Sequence, residues 1–128
     1  MERVLGLGGL FLKARDPEAL AAWYRDHLGV PIAPDQTYGS FTPDEAAGTP
    51  VPTIWSVFPE DTPYFAPSTA PFMVNYRVAD LDKMRAQLRE AGAEVDDRTE
   101  DYAYGRFGWA MDPEGNRFEL WEPKLPDA

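Results

Sequence analysis

RDPEALAAWYRDHLG, residues 15 to 29, is a helix with both of its ends written into it. Asp16 is a good N-cap, Pro17 suits the first helical position, and Glu18 favours the positive end of the helix dipole. Leu20, Trp23, Tyr24, His27 and Leu28 recur at helical spacing and predict one apolar stripe. Gly29 then supplies a left-handed cap. Just upstream, LGGLFLKA (7 to 14) alternates as a short strand should.

The same pattern is written again 64 positions later. FMVNYRVA (72 to 79) is a strand in which Val74, Tyr76 and Val78 alternate. Asp80 caps a helix that carries Leu81, Met84, Leu88 and Ala91 on one face, and Gly92 ends it. Asp16 and Asp80, Lys13 and Arg77, and the strand-ending Pro59 and Pro123 all keep this separation. Further strands are predicted over QTYGSF (36 to 41) and TIWSVF (53 to 58), and over AYGRFGWAM (103 to 111) and RFELWE (117 to 122). The turn DPEGN joins the last two, with Pro and Gly where a hairpin connection wants them. TPDEAAGTPVP and PEDTPYFAPSTAP are proline-rich and read as irregular. The chain is thus one domain, residues 1–128, with a module at about 4–59, a linker at about 60–71 and a second module at about 72–123.

Composition narrows the classes. At 128 residues there is room for one core, and no apolar run approaches the ~20 residues that span a bilayer. No basic, small-residue-terminated leader is visible at the start, and a cytoplasmic location is expected. The absence of cysteine removes disulfides, thiolate nucleophiles and cysteine-ligated zinc. A formal charge of -10 repels phosphate backbones, so nucleic-acid binding is not expected. GLGG at 6 to 9 lacks a following helix start and is no phosphate loop.

The duplicated β-α-β-β-β unit, with RDPEALAAWYRDHLG after the first strand and MDPEGNRFELWEP at the end, resembles the vicinal oxygen chelate superfamily. That superfamily holds glyoxalase I, extradiol dioxygenases and bleomycin-resistance proteins. The resemblance covers nearly the whole chain. It implies an α+β fold of two tandem βαβββ modules whose curled mixed sheets enclose a cavity, and it implies a homodimer. In metal-dependent members, each module offers one His or Glu from its first strand and one from its last.

Transferred by motif, those four places fall on Gly9, Trp55, Met73 and Glu119. Glycine has no donor, an indole only donates, and a thioether is soft and weak. Glu119 alone remains, so no metal or other cofactor is expected. His27, the single histidine, lies at a helix end and reads as a structural residue. By alternation Arg117, Glu119 and Trp121 face the cavity, while Phe118 and Leu120 face the helices. Glu119 is then an anchor or general base, or else an ion-pair partner of Arg117, Arg77 or Lys13.

Around it, Phe11, Trp55, Met73, Asn75, Tyr104, Phe107, Trp109 and Trp121 are the candidate ligand-binding residues, an apolar pocket with sparse polar groups. Tyr64 and Phe65 read as a lid or as part of a dimer seam, and Tyr102 and Tyr104 as loop residues at the cavity mouth. The function expected is metal-independent binding of a small aromatic or cationic molecule. Two alternatives stand beside it. One is a metal-free isomerase or lyase with Glu119 as base and Asn75 or Tyr104 polarising a carbonyl. The other is a metal-dependent glyoxalase- or dioxygenase-type enzyme with unusual ligands.

Overall fold

The structure is a computed structural model and describes residues 1–44, 46 and 51–124. Its elements run β1 (Val4–Ala14), α1 (Pro17–Leu28), β2 (Tyr38–Phe41), β3 (Thr53–Pro59), β4 (Phe72–Val78), α2 (Leu81–Glu90), β5 (Glu100–Tyr102), β6 (Gly105–Met111) and β7 (Arg117–Pro123). A single 3-10 turn, Pro63–Phe65, lies in the linker. The irregular stretch expected at 42 to 52 falls partly outside the described residues.

Both helices start as their sequences require. Asp16 accepts from the Ala19 N–H at 3.1 Å and Asp80 from the Lys83 N–H at 3.0 Å, each satisfying a backbone donor of the first turn. Gly29, at φ 68°, closes α1. The stripe on α1 is narrower than predicted. Leu20, Ala21 and Tyr24 pack on the sheet, whereas Trp23 is 51% exposed, Leu28 63% and His27 is also exposed. The apolar residues are too many for the face that one strand pair can cover.

Seven strands form one curled sheet in the order β2-β3-β1-β4-β7-β6-β5. β1 and β4 pair antiparallel at its centre, so the two modules join edge to edge within this chain. Within each module the first strand pairs parallel with the last, β1 with β3 and β4 with β7. The second module has the full β-α-β-β-β order. In the first, the short strand after the helix is reduced to one bridge between Ile32 and Gly39.

The helices lie on one face of the sheet over two apolar clusters. One holds Ala21, Ile32, Trp55 and Val57, and the other Val78, Leu81, Met84 and Leu120. A third cluster of Phe11, Phe65, Met73 and Trp109 lies on the opposite, concave face. The pleat therefore divides each strand between helix packing and the cavity.

Trp55, expected in the cavity, belongs to the helix face: its ring lies 4.8 Å from that of Tyr24 on α1. The correction has a register cause. Asn75 pairs with Glu119, 44 residues on, but Gly9 pairs with Ile54, 45 residues on. The two strand ends keep the 64-residue repeat while the pairing has slipped by one, and one residue of slip reverses a strand's faces. Ile54, Ser56 and Phe58 point inward instead, with Ile54 and Phe58 packed on the concave cluster.

Candidate functional site

The concave face encloses a cavity of about 510 Å³. Seven aromatic side chains line it, from Phe11, Tyr38, Tyr64, Tyr102, Tyr104, Phe107 and Trp121. Besides the tyrosine hydroxyls, the polar side chains on it are the carboxylates of Glu100 and Glu119 and the amide of Asn75; among the described residues no Lys or Arg lines it.

Glu119 is at the centre, 2% exposed, in the middle of β7. Three uncharged donors converge on it. Asn75 Nδ2 donates to Oε1 at 2.6 Å, Trp109 Nε1 donates to Oε2 at 2.9 Å, and the Tyr64 hydroxyl also donates to Oε2. The strand neighbours explain two of these, since Asn75 on β4 and Trp109 on β6 are the register partners of Glu119 on either side. Tyr64 comes from the linker, held by its 3-10 turn and stacked on Phe58 at 5.4 Å.

Burial pushes the Glu119 carboxyl above its ordinary value, against the three hydrogen bonds and the charge of Arg117. Burial, and then Glu119 itself, push the Tyr64 hydroxyl up as well, so it stays a donor. Among the described residues Glu119 has no ion pair: Arg117 pairs with Asp96 at 3.4 Å, Arg77 donates to the Leu5 carbonyl, and Lys13 lies over the Phe65 ring.

Phe11, Asn75, Tyr104, Phe107, Glu119 and Trp121 all reach the cavity wall. Trp109 and Met73 are wholly buried in the cluster behind it. Tyr102 lies on the edge strand β5 and Tyr104 in the turn after it. Phe65, with no exposed surface, is core. Sequence reasoning missed three things here. Glu100 sits on a strand of three residues, too short to show a period. Ile54 was hidden by the register slip. Tyr64's bond to Glu119 spans 55 residues, and its only local signal is an aromatic pair inside a proline-rich linker.

The residues do not fit a metal of the kind used by this fold's enzymes. No three His, Asp or Glu side chains converge anywhere among the described residues. The groups beside Glu119 present N–H and O–H hydrogens to it rather than further ligand lone pairs, and the inward positions nearby are Gly9, Phe11, Ser56 and Met73.

The chain belongs to the glyoxalase-like domain family, whose model matches residues 9–121, and with it to the vicinal oxygen chelate superfamily. No curated protein matches the sequence. Solved structures share the fold at low identity. Methylmalonyl-CoA epimerase from Mycobacterium tuberculosis is 21% identical over 95% of this chain and 90% of its own, with a TM-score of 0.64. A Streptomyces coelicolor methylmalonyl-CoA epimerase variant, in complex with 2-nitronate-propionyl-CoA, is 15% identical over 97% of this chain and all of its own, with a TM-score of 0.70. A glyoxalase/bleomycin resistance protein/dioxygenase superfamily member from Vibrio splendidus 12B01 is 17% identical over 94% and 98%, with a TM-score of 0.57. No helix of the described residues is long and apolar enough to cross a membrane.

Proposed function

We propose that this glyoxalase-like protein binds a small aromatic or cationic molecule in its concave cavity, without a metal. The observation that carries the reading is the make-up of the wall: aromatic rings, two carboxylates and an amide, with no Lys or Arg among the described residues. A CoA thioester or another phosphorylated substrate would find no counter-charge there, whereas a planar or positively charged one finds ring faces and acceptors. Glu119 would serve as the buried acceptor for a donor on the ligand.

Two measurements test this together. Elemental analysis of protein purified without chelator or histidine tag should give far less than one transition ion per chain. Tryptophan-fluorescence titration should show planar aromatic or cationic compounds binding in preference to neutral sugars. A stoichiometric ion, or no preference, would overturn the reading.

A second reading is favoured by the raised Glu119 carboxyl, which suits a general base at a cavity wall. In a metal-free isomerase or lyase, Glu119→Gln would abolish turnover while ligand still binds. We also propose a homodimer, since Val4, Leu5 and Leu7 of β1 are exposed by 46%, 54% and 55% on a central strand. Sedimentation of the native protein against Leu5→Glu/Leu7→Glu tests that, with the double variant expected as a monomer.

A further inference from the structure

At the cavity mouth, four rings and one carboxylate form a corner. Tyr102 and Tyr104 lie parallel, with centroids 5.3 Å apart and 5° between planes. Phe107 stands at 65° and 70° to them, at 5.9 and 5.8 Å. Behind Phe107, Trp121 is stacked at 6.0 Å and 4°. Two aromatic walls thus meet at 65–70°. Neither stacked pair is open enough to admit another ring between its members, since that needs about 7 Å between planes. What fits the corner is a group that touches two ring faces at once.

The turn that carries the corner is tied to the sheet by its own contacts. Gly105, at φ 147°, lets the turn after β5 lie flat on Trp121: a Cβ there would stand 2.3 Å from the indole nitrogen. That nitrogen donates to the Tyr104 carbonyl at 3.1 Å, which ties the turn to β7. The Tyr102 hydroxyl donates to Glu100 Oε2 at 2.5 Å, so the carboxylate is held at the rim. Arg98, 3.8 Å from Glu100, is 61% exposed and does not line the cavity; such an exposed pair neutralises little.

We infer that this corner is a cage for an organic ammonium head, with Tyr102, Tyr104 and Phe107 supplying ring faces, Glu100 the counter-charge, and the rest of the ligand running inward towards Asn75 and Glu119. A cation over a ring face gains from the ring's quadrupole, and more so where a carboxylate is beside it and water is displaced. An ammonium bearing alkyl groups fits better than a bare one, because the ring walls cannot accept several strong hydrogen bonds. This rests on the cavity being a small-molecule site, and it adds where the charge goes and what carries it.

The test uses a matched pair, (3-hydroxyphenyl)trimethylammonium and 3-tert-butylphenol. They share shape and a phenol hydroxyl for Glu119, and differ in charge. Isothermal titration of the wild-type protein should show the ammonium binding about tenfold more tightly. Glu100→Gln and Tyr104→Ala should each shrink that ratio to about threefold or less by removing one partner of the head group. Equal affinities in the wild-type protein would overturn the cage and leave the binding reading standing. A preference that persists undiminished in both variants would also overturn it, by placing the head elsewhere. If neither compound binds, the cage fails, and the small-molecule reading fails with it if neutral planar aromatics do not bind either.

Discussion

Trp109 and Glu119 face each other across the β6–β7 pair, and the indole N–H donates to Oε2 of the carboxylate at 2.9 Å. Asn75 does the same from the other side, on β4. A buried acid is thereby held between two strands by neutral donors, with Tyr64 closing the third direction. Such an arrangement keeps a carboxylate in an apolar wall with no ion-pair partner among the described residues. It also makes each donor's loss measurable.

Trp109→Phe forfeits one hydrogen bond to a buried acid and, the phenyl ring being smaller than the indole, also leaves a void in the concave cluster. The expected cost is about 1–3 kcal/mol in urea unfolding. Tyr64→Phe should cost about 1 kcal/mol or more, since the Phe58 stack survives. In both variants the Glu119 carboxyl should move further up, readable by NMR titration of its side-chain carbon.

The raised Glu119 carboxyl carries a sign for stability. Unfolded, the group ionises near its ordinary value of 4.5; folded, it holds its proton to higher pH. The native state therefore binds more protons in between, so this contribution is full below 4.5 and is lost as pH rises through the folded value. Asp96 acts in the opposite sense. The Arg98 backbone N–H and then Arg117 hold it below its ordinary 3.8, and its contribution is lost as pH falls through that lower range. Unfolding curves of the wild-type protein and Glu119→Gln should differ by an amount that declines for the wild type as pH rises from about 4.5.

Gly8 is a spatial requirement of the site. A Cβ there would lie 2.2 Å from Asn75 Oδ1 and 2.7 Å from Trp121 Cε3. Asn75 is pinned to Glu119 and cannot swing away without breaking that bond. Gly8→Ala should thus destabilise by about 1–3 kcal/mol and weaken ligand binding, measured by thermal unfolding and titration on the same preparation.

Trp55 and Trp121 separate the two faces of the sheet. Trp55→Leu should lower stability by about 2–4 kcal/mol through lost packing on Tyr24 and Ala21, with ligand affinity retained in the folded protein. Trp121→Leu should lower affinity more than tenfold, as it removes the ring behind the cavity corner. Equal affinity losses would show that Trp55 senses the cavity after all.

The division between sequence and structure follows the range of each interaction. Helix caps at Asp16, Asp80 and Gly29, the hairpin at Asp112 to Asn116 and the repeated strand–helix order are local: each is set by residues a few positions apart, so all are written in the chain and all are found in the fold. The inward face of Glu119 was legible for the same reason, because alternation along one strand places Phe118 and Leu120 beneath α2 once either face is known. What the sequence could not determine is register. Whether Trp55 or Ser56 points inward depends on which residue of β1 sits beside it, a contact 45 residues away that a single slipped position reverses. Tyr64 reaches Glu119 only because the modules join edge to edge and fold the linker back over the concave face. The tertiary structure decided these points, since a cavity wall is made by strands far apart in the chain, and local propensity carries no term that brings them together.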